Sequence, residues 1–182
     1  METINLSKMR TCIALFLWLL ICNGTPGQGN NVRDNVALTY LSQIGVKEAT
    51  GHNDGPEVES YLRSVDLAPG APWCAAFVSW TYTINGVENP RSGWSPAYFP
   101  AKRVIYIRDG LNKAIPEKAD VFGIYFGNLG RIAHVGFIHE WGSRLVMTVE
   151  GNTNDQGSRE GTRVAIKRRP TRTIYKVSRY VN

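Results

Sequence analysis

The chain changes period partway along, and few folds tolerate that. Before Gly86 its apolar residues recur at helical spacing, and from Asp120 onward they fall into short runs rich in branched and aromatic residues. Val32, Val36, Tyr40, Leu41 and Ile44 form a first stripe, with Asn31 as a cap and Gly45 as a stop. Val58, Tyr61, Leu62 and Val65 form a second, entered through the loop Gly51-His52-Asn53-Asp54-Gly55-Pro56. Pro69-Gly70-Ala71-Pro72 turns the chain into a third helix that runs to Gly86, with Trp73, Phe77, Trp80, Thr81 and Ile84 marking its expected buried side. Strands are predicted over Asp120–Phe126, Ile132–Trp141, Arg144–Glu150, Val164–Lys167 and Thr173–Val177, the second and third joined by a short turn at Gly142-Ser143. Helices first and an antiparallel meander afterwards make the fold α+β, with N-terminal helices packed on the sheet.

The third helix carries Cys74 in its first turn. Unpaired N–H groups and the positive end of the helix dipole stabilise a thiolate there, which suits a nucleophile. Free cysteine is also a common small core residue, so position alone leaves both readings open. The rest of the cysteine inventory weighs on the choice. Lys8 and Arg10 precede an apolar run from Cys12 to Cys22, which breaks at Asn23-Gly24-Thr25-Pro26-Gly27. A basic start, an apolar centre and a small-residue exit describe a secretory signal peptide, expected over residues 1–29 and followed by one domain over 30–182. The run is too short for a stable membrane span. Ile21 is bulky where lipoprotein signals carry a small residue, so no lipid anchor is expected on Cys22. Export removes Cys12 and Cys22 and leaves Cys74 alone, a thiol that needs a reason to persist in the periplasm or outside the cell.

The chain carries a net charge of +6, with much of the excess in Arg159, Arg163, Lys167, Arg168, Arg169, Arg172, Lys176 and Arg179. Such a balance favours polyanionic surfaces such as cell-wall polymers, and a solvated basic edge accounts for most of these residues. No aromatic-basic recognition motif is present, so nucleic acid is not an expected partner. The segment Asn89–Pro100 is too rich in proline and glycine for regular structure. Its Trp94, Tyr98 and Phe99 either cover the core or wall a cleft.

A cysteine nucleophile needs a base and a polar group to hold that base. His52 lies in a loop and His139 at a strand end. His134 opens a strand on the face opposite Val135 and Phe137, sharing its side with Gly136, which leaves room beside the ring. The neighbouring strand ends in Glu150-Gly151-Asn152, and period two places Glu150 and Asn152 on one side. A histidine at the start of one strand and a carboxylate at the end of its antiparallel neighbour lie close enough for the carboxylate to orient the ring.

Trp-Cys-Ala-Ala-Phe-Val at residues 73–78, His-Val-Gly-Phe at 134–137 and Glu-Gly-Asn at 150–152 together resemble the CHAP amidase/peptidase family, within the NlpC/P60 papain-like group of cell-wall hydrolases. Asn53-Asp54-Gly55-Pro56 and Trp94-Ser95-Pro96 match as well. The resemblance implies a papain-like fold, with Cys74 as nucleophile, His134 as base, Glu150 as orienting group and Asn152 as the accompanying asparagine. Trp73, Asn53, Asp54 and Trp94 become candidate substrate-binding residues. It implies amide cleavage in peptidoglycan through a thioester, with backbone N–H groups at the start of the cysteine helix holding the oxyanion. A cognate inhibitor or immunity protein enters as a candidate partner. The aspartate cluster that CHAP enzymes carry before the cysteine is absent, and no metal or other cofactor is expected. Three alternatives remain: acyl transfer on the same trio, a non-catalytic wall-binding module, and a zinc site, for which no close-spaced ligand pair exists.

Overall fold

The structure is a computed structural model that describes residues 32–155 and 161–182. The expected leader, its expected cleavage region and the expected Asn31 cap lie outside the described residues. Three helices come first: α1 (Val32–Ser42), α2 (Pro56–Arg63) and α3 (Cys74–Ile84). A short 3-10 turn, Ser95–Tyr98, leads into six strands: β1 (Val104–Ile107), β2 (Val121–Phe126), β3 (Arg131–Glu140), β4 (Leu145–Thr153), β5 (Arg163–Pro170) and β6 (Lys176–Ser178). They form one antiparallel sheet in the order β1-β6-β2-β3-β4-β5. The fold is α+β, as the change of period requires. No helix among the described residues is long and apolar enough to cross a membrane.

Strand alternation gives the sheet two apolar faces. Val121, Val135, Phe137 and Val149 join one cluster with Val36 and Tyr40 of α1, Tyr61 and Leu62 of α2, and Phe77 and Tyr82 of α3. Phe122, Ile138, Val146, Ile174 and Val177 form a second cluster on the other side. The helices are held by polar contacts as well. Tyr82 donates to the Ala119 carbonyl at 2.6 Å. Arg33 of α1 is buried and donates to Asp120 at 3.1 Å, while Arg179 meets the same carboxylate at 2.9 Å. A buried carboxylate needs such partners.

Several expectations change in detail. The third helix has the predicted ends, and Gly86 stops it at φ +68°. Its buried side is not the predicted stripe, because residues 74–79 are all buried while Ile84 is exposed. A helix wedged between two other helices and a sheet has little solvent face to give it a period. Ile44 likewise lies beyond α1 and is exposed. The edge strand β1 was not anticipated, and the strand expected over Thr173–Val177 is regular only at Lys176–Ser178. Thr171–Thr173 makes a 3-10 turn, and Tyr175 spends its N–H on the Gly123 carbonyl just ahead of the regular pairing.

Candidate active site

Two loops set the start of α3. Asn53 and Gly70 exchange hydrogen bonds of 3.1 and 3.0 Å, tying the loop before α2 to the turn before α3. Trp73 then fills the core and donates to Glu48 at 2.8 Å, so Cys74 begins the helix from a fixed point. The thiol is buried, with Ser95 Oγ at 3.7 Å. Ser95 opens the 3-10 turn, and that turn is pinned to the first turn of α3 by Tyr98, whose hydroxyl donates to the Ala75 carbonyl at 3.0 Å.

His134 is the fourth residue of β3, on the side of Gly136 and Ile138. Its Nε2 meets Glu150 Oε2 at 2.8 Å, with both side chains buried. Gly136 makes this possible: a Cβ there would stand 3.0 Å from Glu150 Cγ and 2.9 Å from the Phe122 ring. Glu150 is itself gripped on both oxygens. Arg169 of β5 donates Nε to Oε1 at 2.5 Å and Nη2 to Oε2 at 2.6 Å, Thr148 donates to Oε1 at 2.5 Å, and Thr153 reaches Oε2 at 3.3 Å. Arg169 pairs opposite Val146 and lays its side chain along β4 to reach Glu150.

These contacts decide the charges. Burial pushes Glu150 up, yet the Arg169 hydrogen bond and charge, with those of His134, hold its carboxyl far below the usual range. Burial pushes the imidazole down, but hydrogen bonds to Cys74 and Glu150 and their charges raise His134 from 6.5 to about 9. Burial raises Cys74, and His134, then the Ser95 hydroxyl and the Val135 backbone, bring it below its ordinary value. No regular hydrogen bond joins the thiol to the ring: His134 Nδ1 is buried without a partner among the described residues, while the two groups lie close enough for each to shift the other. Contacts of this kind commonly tighten when substrate binds. Both shifts favour a thiolate–imidazolium pair, with a carboxylate fixing the far ring nitrogen.

Of the residues expected at the site, Cys74, His134 and Glu150 come together. Asn152 does not join them. Its Oδ1 accepts from the Gly161 N–H at 3.0 Å, and its backbone is left-handed at φ +53°, where β4 bulges against β5. The bulge breaks the alternation that would have put it beside Glu150. Trp73 is fully buried and is a core residue, not a surface offered to a ligand. Asn53 and Asp54 hold their own loop: Asp54 accepts from Thr50 N at 2.9 Å and Oγ1 at 2.6 Å. Trp94 is 52% exposed, with the Arg131 guanidinium 4.2 Å from its ring centroid. Tyr98, from the same loop, is in the core. His52 is exposed, and His139 Nδ1 pairs with the Tyr40 hydroxyl at 3.0 Å. Arg169 and Ser95 were not foreseen as site residues. Arg169 hides among basic neighbours, and only the β4–β5 register shows that it points at Glu150.

The fold and site thus define an α+β protein with a buried Cys–His–Glu set whose carboxylate is clamped by arginine. Among the described residues no group of three or more His, Cys, Asp or Glu side chains is arranged to hold a metal ion. No protein-family model matches the chain, and no curated protein matches it in sequence. Among solved structures, the Resuscitation Promoting Factor Interacting protein RipA, in a form mutated at one histidine, aligns with a TM-score of 0.49 and 19% identity. The alignment covers 85% of this chain and 64% of that one, so this chain spans less than two thirds of that neighbour. A likeness this distant leaves the functional reading to the chemistry of the site.

Proposed function

We propose that the protein is an exported cysteine-dependent hydrolase that cuts amide bonds in the peptide part of peptidoglycan, as an N-acetylmuramoyl-L-alanine amidase or a stem or cross-bridge endopeptidase. One observation carries the reading. A cysteine at the first position of a helix is driven toward thiolate by a histidine whose other nitrogen is bonded to a buried carboxylate at 2.8 Å. The CHAP-like order of these residues, the signal-like leader and the basic balance support peptidoglycan as substrate and a location outside the cytoplasmic membrane.

In this mechanism the Cys74 thiolate attacks the amide carbonyl, and the tetrahedral oxyanion forms against the N–H groups of the first turn of α3. His134 gives its proton to the leaving amine as the C–N bond breaks, leaving a thioester on Cys74. The neutral imidazole then takes a proton from water, hydroxide adds to the thioester, and Cys74 leaves as thiolate with the acid product. Glu150 keeps the ring in register through both halves.

Purified peptidoglycan digested with the protein should release peptide fragments, identified by mass spectrometry, that are absent with Cys74→Ala. Undiminished digestion by that variant would remove the cysteine from the mechanism. Transfer of the acyl group to an added amine with no free acid formed would make the protein a transferase.

A further inference from the structure

Two routes lead from the reacting groups to one spot on the surface. Cys74 touches Ser95, and the preceding residue is Trp94, half exposed. From His134, β3 runs back to its first residue, Arg131, whose guanidinium lies over the Trp94 ring at 4.2 Å from the centroid. Arginine and indole therefore close a circuit that passes through the thiol, the hydroxyl beside it and the imidazole.

Arg131 is incompletely used. Its Nη1 donates to the Ile132 carbonyl at 3.1 Å. Among the described residues no carboxylate pairs with it, and Nε and Nη2 have no partner. This is the edge with which Arg169 grips Glu150, Nε on one oxygen and Nη2 on the other. The cation–π contact holds the guanidinium over the indole, and the Nε/Nη2 edge left without a partner is the one through which an arginine takes a carboxylate by two parallel hydrogen bonds. A lysine offers charge without the fork.

The geometry points to Arg131, held over the Trp94 ring, as a carboxylate-binding subsite at the rim of the nucleophile: the preferred substrate carries a free carboxylate close to the amide that is cut. This rests on the amidase reading above and names what that amide must have beside it. Two charge-assisted hydrogen bonds at a partly desolvated rim correspond to about tenfold or more in affinity.

The test separates the subsite from the reaction. A soluble peptidoglycan stem peptide with free carboxylates, and the same peptide with those groups converted to primary amides, are titrated calorimetrically into Cys74→Ala protein. The free acid should bind at least about tenfold more tightly. The preference should vanish in Cys74→Ala/Arg131→Ala protein and survive in part in Cys74→Ala/Arg131→Lys. Iodoacetamide alkylation of Cys74 in the single Arg131→Ala variant should match the parent, showing an intact site. Equal binding of the two peptides, no binding of either, or a preference that persists without Arg131 overturns the subsite. Failure to digest peptidoglycan alongside a clear Arg131-dependent preference strikes the reaction and leaves the subsite standing.

Discussion

Glu150 holds more than an imidazole. Arg169 and Thr148 share one of its oxygens, and His134, Arg169 and Thr153 share the other. The arginine has two effects that oppose each other. It guarantees that the carboxylate is ionised and immobile, and it draws off part of the charge that would otherwise stabilise the imidazolium. Orientation therefore outweighs raw charge in what Glu150 gives the ring. Asn152 accepts from Gly161 through Oδ1 and lies outside this network. Glu150→Ala should cut turnover by on the order of a hundredfold or more and move the alkylation profile of Cys74 to higher pH. Glu150→Gln, which keeps a hydrogen-bonding side chain beside Arg169, serves as the companion variant should Glu150→Ala fold poorly. Asn152→Ala should leave that profile in place. Alkylation rate against pH checks both, and a shift in Asn152→Ala with none at Glu150 would exchange the roles.

At the scale of elements, the site depends on how closely α3 approaches β4. Gly151 permits the contact: a Cβ there would stand 2.8 Å from the Trp73 ring and 2.9 Å from Phe77. Gly151→Ala should lower unfolding free energy by roughly 1–3 kcal/mol, the usual cost of overpacking, read by denaturant titration. An unchanged midpoint would show that the helix slides away without strain. The same packing explains what could be read from the sequence. The ends of α3 were legible because proline and glycine act locally, and the β3–β4 hairpin because its turn is short. Cys74 was legible because a helix start has a local signature, and His134 and Glu150 because alternation on neighbouring antiparallel strands brings them together, although both lie inside β3 and β4 rather than at the expected strand start and strand end. Arg169, Ser95 and the true position of Asn152 were not. The first needs the β4–β5 register, the second a turn folded back onto α3, and the third a bulge that alternation cannot foresee. The buried side of α3 was misread because a helix covered nearly all round has no polar face to mark the opposite one.

For the whole molecule, burying this network links stability to pH. The Glu150 carboxyl is depressed on folding, so its contribution is fully present above its unfolded value near 4.5 and is lost as pH falls toward the folded one. The His134 ring is raised, so its contribution is complete below 6.5 and is lost as pH rises through about 9. The melting temperature of the wild type should fall steadily as pH drops below about 4.5, and Glu150→Gln should flatten that acid limb. Parallel slopes in the two proteins would assign the acid sensitivity to other carboxylates. The clamp on Glu150 also sets an order in time. A chain made from its N-terminus yields the nucleophile first, the base next, the carboxylate after it and the arginine last, on the edge strand β5. Until β5 docks, Glu150 lacks its clamp and His134 lacks a fixed partner, so the strongest influence drawing the thiol toward thiolate is not yet in place. A partly folded chain is thus chemically quieter, and full reactivity arrives only when β5 has paired.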